Sequence, residues 1–211
     1  MNITIIGAGN MGSALVKQLA KAGHQIRVTA RDSAKAAALA ALHPNTRAVP
    51  ATEALAESEV VIVATSYADS VPALQSLGDL AGKIVIDISN PLTADYMGLT
   101  LGHTTSAAEE IAAAIPGAEV VKAFNTVFAQ VLDAGGDFGQ GNTVPVFIAG
   151  DSERARQTVA ALVASIGFEP VHAGGLKNAR YLEPLAGLNI YFGYGAGKGT
   201  SIAPTWIGRA A

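Results

Sequence analysis

The chain has 211 residues, half of them apolar and only 15% charged, with a formal net charge of −3. That length suits one sizeable α/β core, or one domain with a small appendage, and a second full domain is not expected, while the charge balance argues against a nucleic-acid partner. With no cysteine, disulfides, thiolate metal sites and cysteine nucleophiles are excluded, and His24, His43, His103 and His172 are scattered without ligand spacing, so no metal is expected. No charged leader or long apolar stretch precedes the first apolar run, so the expectation is a cytoplasmic protein without a membrane span.

Ile3, Ile5 and Ile6 form a β-branched run that stops at Gly7, and an apolar-periodic segment through Met11, Leu15, Leu19 and Ala22 follows. The pattern predicts strand, tight turn and helix. Gly7, Gly9 and Gly12 fall at the spacing G-x-G-x-x-G: the first permits the turn, the second admits a pyrophosphate to the backbone, and the third lets helix and strand pack closely. Asn10 and Met11 begin the helix, where free amides would face phosphates. A second strand, Ile26 to Thr29, completes a βαβ unit, a context that a Gly-rich connector would not require.

The end of that second strand carries the choice of cofactor. Enzymes that select NAD usually hold the ribose with an acid there, whereas this chain has Thr29, Ala30, Arg31 and Asp32. Arg31 can pair a 2′-phosphate in two-pronged fashion, and Lys35 offers a second charge, so NADP(H) is the expected cofactor. The alternative is a solvated loop in which Asp32 is the ribose acid, displaced by a residue or two.

Ser33, as N-cap, opens an Ala-rich helix ended by Pro44. Arg47 to Val49 reads as a short strand, Thr52 to Glu57 as a short helix, and Val60 to Ala64 as a strand buried on both faces. Thr65, Ser66 and Tyr67 mark its carboxyl end, where open α/β sheets place ligands. Helix is predicted over 70–80 and strand over 84–88, ending in Ser89-Asn90-Pro91, a shaped loop because proline keeps Asn90 out of the helical region. Residues 92–104 look irregular, and Ser106 with Glu109 fits a capping box for a helix through Ile115. A sixth strand spans Glu119 to Phe124, leading into Asn125 and Thr126, and a loop containing Gly135, Gly136, Gly139 and Gly141 follows. Two further strands, Val144 to Ala149 and Glu169 to Val171, flank a helix over 152–165 capped by Asp151 or Ser152.

The expected fold is therefore α/β: a Rossmann-type, doubly wound, mostly parallel sheet of about eight strands, occupying residues 1–175 as a nucleotide-binding domain. A helical segment over 176–211 closes the chain. Its apolar helix, Leu176 to Gly193, either packs on the sheet and on a second subunit, making a homodimer, or walls a substrate. In the tail up to Ala211, Trp206 and Ile207 call for burial.

Taken together, Gly7-Ala-Gly-Asn-Met-Gly12, Ser89-Asn90-Pro91, Val121-Lys-Ala-Phe-Asn-Thr126, Phe147-Ile-Ala-Gly-Asp151 and Asn178-Ala-Arg-Tyr-Leu-Glu-Pro184 resemble the NADP oxidoreductases dependent on the deazaflavin coenzyme F420. The N-terminal reductase domain of STEAP-type ferric reductases is similar and passes hydride from NADPH to FAD. Either resemblance implies hydride exchange between NADPH and an isoalloxazine-like ring, a flavin or deazaflavin acting as co-substrate. It also implies that Gly7 to Gly12 hold the pyrophosphate, Arg31 the 2′-phosphate, and Thr65, Ser66 and Tyr67 the adenosine and ribose. Asn90, Pro91, Ala123 and Asn125 would surround the nicotinamide and its acceptor. Because side chains alternate along a strand, Phe124 is expected to turn into the core and Asn125 to face the cleft.

Hydride transfer between stacked rings asks mainly for positioning, so no catalytic acid is assigned. Ser89 and His103 are the nearest candidates, and a structural hydrogen-bonding role is the better reading of each. Two rivals stand beside this one. An imine reductase of the pyrroline-carboxylate reductase type shares the phosphate loop but appends a long helical domain, for which about forty residues are too few. A non-catalytic NAD(P)-sensing module would bind cofactor and reduce nothing.

Overall fold

The computed structural model describes residues 1–209, so the last two positions of the expected C-terminal segment, Ala210 and Ala211, lie outside the described residues. The first βαβ unit consists of β1 (Asn2–Ile6), α1 (Asn10–Lys21) and β2 (Gln25–Thr29). β1 is buried along nearly its whole length, so its β-branched residues serve both faces of the sheet rather than alternating with polar ones. It pairs in parallel with β2 on one side and with β4 (Val60–Val63) on the other, Ile3 lying opposite Ile26 and Val60.

The remaining elements follow in order: α2 (Ser33–Ala40), β3 (Thr46–Ala48), α3 (Tyr67–Gln75), β5 (Ile84–Asp87), α4 (Ala107–Ala114), β6 (Glu119–Lys122), α5 (Ala129–Ala134), β7 (Pro145–Gly150), α6 (Glu153–Ser165), β8 (Glu169–His172) and α7 (Ala179–Ile190). They build one eight-stranded sheet in the order β3-β2-β1-β4-β5-β6-β7-β8. All pairings are parallel except β6 with β7, where Val121 faces Gly150 and Lys122 faces Ala149. One core layer contains Ile5, Leu15 and Leu19 from β1 and α1; the other contains Val61, Leu74 and Ile111 from β4, α3 and α4. The strand order reverses between β1 and β4, and the loops at that reversal open a crevice at the carboxyl edge.

Several elements differ from the sequence-based expectation for local reasons. Asp32, not Ser33, caps α2, its Oδ1 accepting from the amides of Ala34 and Lys35 at 3.1 Å each. The predicted short helix over 52–57 is a single 3-10 turn, Ala51–Glu53, after Pro50. α3 starts at Tyr67, three residues early, because Pro72 is tolerated inside it and Ser66 provides the extended entry. Of the two cap candidates for α6, Ser152 accepts from the amide of Ala155, while Asp151 Oδ1 accepts from the amide of Leu176 at 2.9 Å. The six-residue α5 lies where a loop was expected, with Val131 and Leu132 in the core and Asp133 bound to Lys17 of α1 at 2.8 Å.

The C-terminal helix passes through a π turn, Tyr191–Gly195. Trp206 packs edge-on against Phe147 with ring centroids 5.2 Å apart, yet it is 72% exposed and Ile207 96%, so the burial expected of both is not met within this chain. Among the described residues, no helix is long and apolar enough to cross a membrane.

Candidate functional site

The turn from β1 into α1 depends on Gly7, whose φ of +114° is closed to ordinary side chains. Its amide donates to Thr29 O at 2.8 Å, and a Cβ there would stand 2.5 Å from Ala64 O. A Cβ on Gly12 would strike the carbonyl oxygen of Gly7. Gly9 is different: a Cβ there would meet nothing within 4 Å, because its face is open space. Two glycines hold the turn together, and the third keeps a gap clear.

That gap lies at the head of α1, which begins at Asn10 and Met11 and has no side-chain cap. By contrast α2, α4 and α6 are capped by Asp32, Ser106 and Ser152. The uncapped amides and the positive end of the helix dipole therefore face an open cleft, an arrangement suited to phosphate.

The cleft has a volume of about 1040 Å³ and brings together Gly7, Gly9, Arg31, Lys35, Thr65 and Ser66 from the predicted set. The guanidinium of Arg31 is 91% exposed and sits 3.7 Å from Asp69, which also accepts from Ser66 Oγ at 2.8 Å. Lys35 Nζ is 3.8 Å from the free oxygen of Asp32. With its other oxygen committed to the cap of α2, Asp32 is built as a helix cap, whereas both cations remain free to meet an anion. Thr65 Oγ1 lies 3.1 Å from Ser70 Oγ. The Tyr67 hydroxyl donates to Glu110, and burial first, then that carboxylate, pushes the phenol up to about 12.

Asn90, Pro91, Ala123 and Asn125 meet at the tips of β5 and β6, outside the residues lining this cleft. Asn90 Nδ2 donates to Asn125 O at 2.9 Å, and Asn125 Nδ2 donates to Asn90 Oδ1 at 3.0 Å and to Leu182 O of α7 at 2.9 Å. Two expectations are corrected here. Asn125 is only 6% exposed and turns toward α7 instead of facing the cleft, because β6 ends at Lys122 and Phe124 takes a φ of +61°, which breaks the strand alternation. Ala123 is fully buried and has no side-chain surface to offer. Phe124 does lie in the core; Ser89 is buried, and His103 is exposed on its loop.

Beneath these tips lies a charged cluster that the sequence reading missed. Lys122, with no exposed surface, donates to Asp87 Oδ2 at 2.6 Å, to Ser89 O at 2.8 Å, and lies 2.8 Å from Glu183 Oε1. Glu183 in turn accepts from the amides of Ala107 and Ala108 at the start of α4. The available signal was a single charge of opposite sign ending each of two apolar strands, and one acid within an apolar helix.

The sheet order, the open Gly9 face and the exposed cations define an α/β protein of the Rossmann type, built to bind a dinucleotide. The family described as NADP oxidoreductase, coenzyme F420-dependent, matches residues 2–91. The chain is 30% identical over 208 residues to the F420-dependent NADP reductase of Methanothermobacter marburgensis, covering 90% of this chain and 91% of that one. A solved structure from Arthrobacter sp. FB24, provisionally assigned as an F420-dependent NADP reductase, superposes with a TM-score of 0.87 at 31% identity over 99% of this chain and all of the other. Metalloreductase STEAP3 of Rattus norvegicus is 34% identical over 184 residues, 87% of this chain, and the chain spans only 36% of its length. The chain belongs to the F420-dependent NADP reductase family.

Proposed function

We propose that the chain moves hydride between NADPH and a flavin-type or deazaflavin (F420) acceptor, with the adenosine half of the cofactor on Arg31, Lys35, Thr65, Ser66 and Tyr67. The pyrophosphate would lie against Gly7, Gly9 and the head of α1 at Asn10, Met11 and Gly12. The carrying observation is the open face of Gly9 beside an uncapped helix, flanked by two exposed cations. When bound, NADPH supplies a hydride: its C4–H bond breaks, the acceptor ring gains that hydrogen with both electrons, and a solvent proton completes the reduced acceptor.

This chain's own part is positioning. Asn90 and Asn125 fix the β5 and β6 tips against α7, and Pro91 shapes the loop between them and the acceptor. Ala123 contributes only backbone. The name carried by the relative in Methanothermobacter supports a deazaflavin acceptor. A second copy of the chain is the proposed partner for the exposed row Tyr181, Leu188 and Tyr191 along α7.

The test is anaerobic mixing of the protein with NADPH and, separately, riboflavin, FMN, FAD and F420. Loss of NADPH absorbance with at least one acceptor is expected. Cofactor binding without loss for any acceptor would favour the sensor reading.

A further inference from the structure

Burying ions is expensive, and a buried ion pair is often no more stable than apolar residues of the same size, so a cluster with unequal charge calls for a reason beyond stability. Lys122 donates to Asp87 and to Ser89 O and forms an ion pair with Glu183. Asp87 Oδ1 accepts from the Ser89 amide at 2.8 Å, and the two oxygens of Glu183 accept from Ala107 and Ala108 at 3.0 and 3.2 Å. Every carboxylate oxygen therefore faces an N–H donor. By formal charge, two carboxylates and one ammonium leave one negative charge in excess.

The surroundings do not cancel it. Arg180 is occupied by Glu109 through two bonds at 2.7 and 2.8 Å, and Glu110 adds a further carboxylate on Tyr67. Lys177 is exposed and acts on Glu109. The head of α4 offers roughly half a positive charge. The formal charge grouped beneath the β5 and β6 tips stays negative.

We infer that the Asp87–Lys122–Glu183 cluster favours the oxidised nicotinamide and thereby biases this chain toward oxidising NADPH. The inference rests on the proposed function and on the further step of setting the nicotinamide end of the cofactor at the tips of β5 and β6, beside Asn90. Asp87 ends β5 and Lys122 ends β6, paired in register directly below those residues. Oxidised nicotinamide is a pyridinium cation and reduced nicotinamide is neutral, so an uncompensated anion lowers the free energy of one and not the other. A unit charge acting over roughly 10 Å at an effective dielectric of about 20 changes an equilibrium on the order of tenfold. Glu183 and Asp87 are accordingly positioning residues for charge, acting without touching the ring.

The experiment is a pair of calorimetric titrations, NADP+ and NADPH separately, into the full chain and into Glu183→Gln. The unaltered protein is expected to bind NADP+ more tightly than NADPH, and the variant to lose that preference by about tenfold. An unchanged ratio, or an equal loss of both affinities, overturns the inference and leaves the cluster a structural clamp. Asp87→Asn carries the same expectation should Glu183→Gln fail to fold, and tighter NADPH binding by the unaltered chain overturns the inference without any variant. Failure of the unaltered chain to bind either form would instead overturn the functional reading beneath it.

Discussion

Arg31 is held by nothing stronger than a loose approach to Asp69, so its guanidinium is free to pair a 2′-phosphate. Arg31→Ala is expected to weaken NADPH binding by about 1–3 kcal/mol, the worth of a charge-assisted bond, and to leave NADH nearly unchanged. Parallel titrations check this, and equal losses for both would remove Arg31 from the role. Gly9 and Gly12 make a sharper pair. Gly9 has an ordinary extended backbone and open space beside it, so Gly9→Val should melt at nearly the native temperature while losing NADP(H) binding. Gly12→Ala should instead lose stability first, since its methyl meets the carbonyl of Gly7. The glycine spacing was legible in the sequence because its chemistry is local, but the close approach that requires Gly7 is to Ala64, far along the chain.

Helix α7 is fastened to the sheet edge through Glu183 on Lys122, Leu182 O on Asn125, and Asn189 Nδ2 on Thr126 O at 3.1 Å. Asn125→Leu would remove the buried donor shared by Asn90 Oδ1 and Leu182 O, so a loss of about 1–3 kcal/mol in unfolding free energy is expected. Turnover with flavin-type acceptors should fall with it, and NADPH affinity should change little, because the adenosine cleft is built elsewhere; a denaturant series and steady-state kinetics separate the two effects. The central strands were legible in the sequence, since runs such as Val60 to Val63 are apolar on both faces. The short α5 was not, because six residues show less than two helical turns of periodicity and its amphipathic face acquires meaning only against α1. The end of β6 was missed for a related reason: nothing local announces that Phe124 adopts a positive φ, which follows from burying its ring in the core.

Across the whole molecule, His24 ties the turn before β2 to α6, its Nε2 lying 2.9 Å from Ser165 Oγ and its Nδ1 3.2 Å from the N-terminal ammonium. Burial, and then that ammonium, hold the imidazole below its ordinary value of 6.5. A depressed value means that the folded state resists protonation, so the stability it supports is complete above the unfolded value and is lost as pH falls below it. The denaturant midpoint is therefore expected to drop between about pH 7 and about pH 5, before most carboxylates titrate, and His24→Gln should flatten that drop. An identical pH profile in the variant would assign the loss elsewhere. Overall topology was legible from the alternation of strands and helices, whereas the buried ion cluster was not, since it joins positions 87, 122 and 183 that no sequence pattern links.

The residues lining the cleft all lie between Ile6 and Ser76, whereas the opposite edge is assembled from Asn90, Asn125 and the backbone of Leu182. In terms of descent, the first portion is a cassette: it can be inherited as one uninterrupted stretch. The second is a mosaic, whose distant pieces can change separately while the cassette stays as it is.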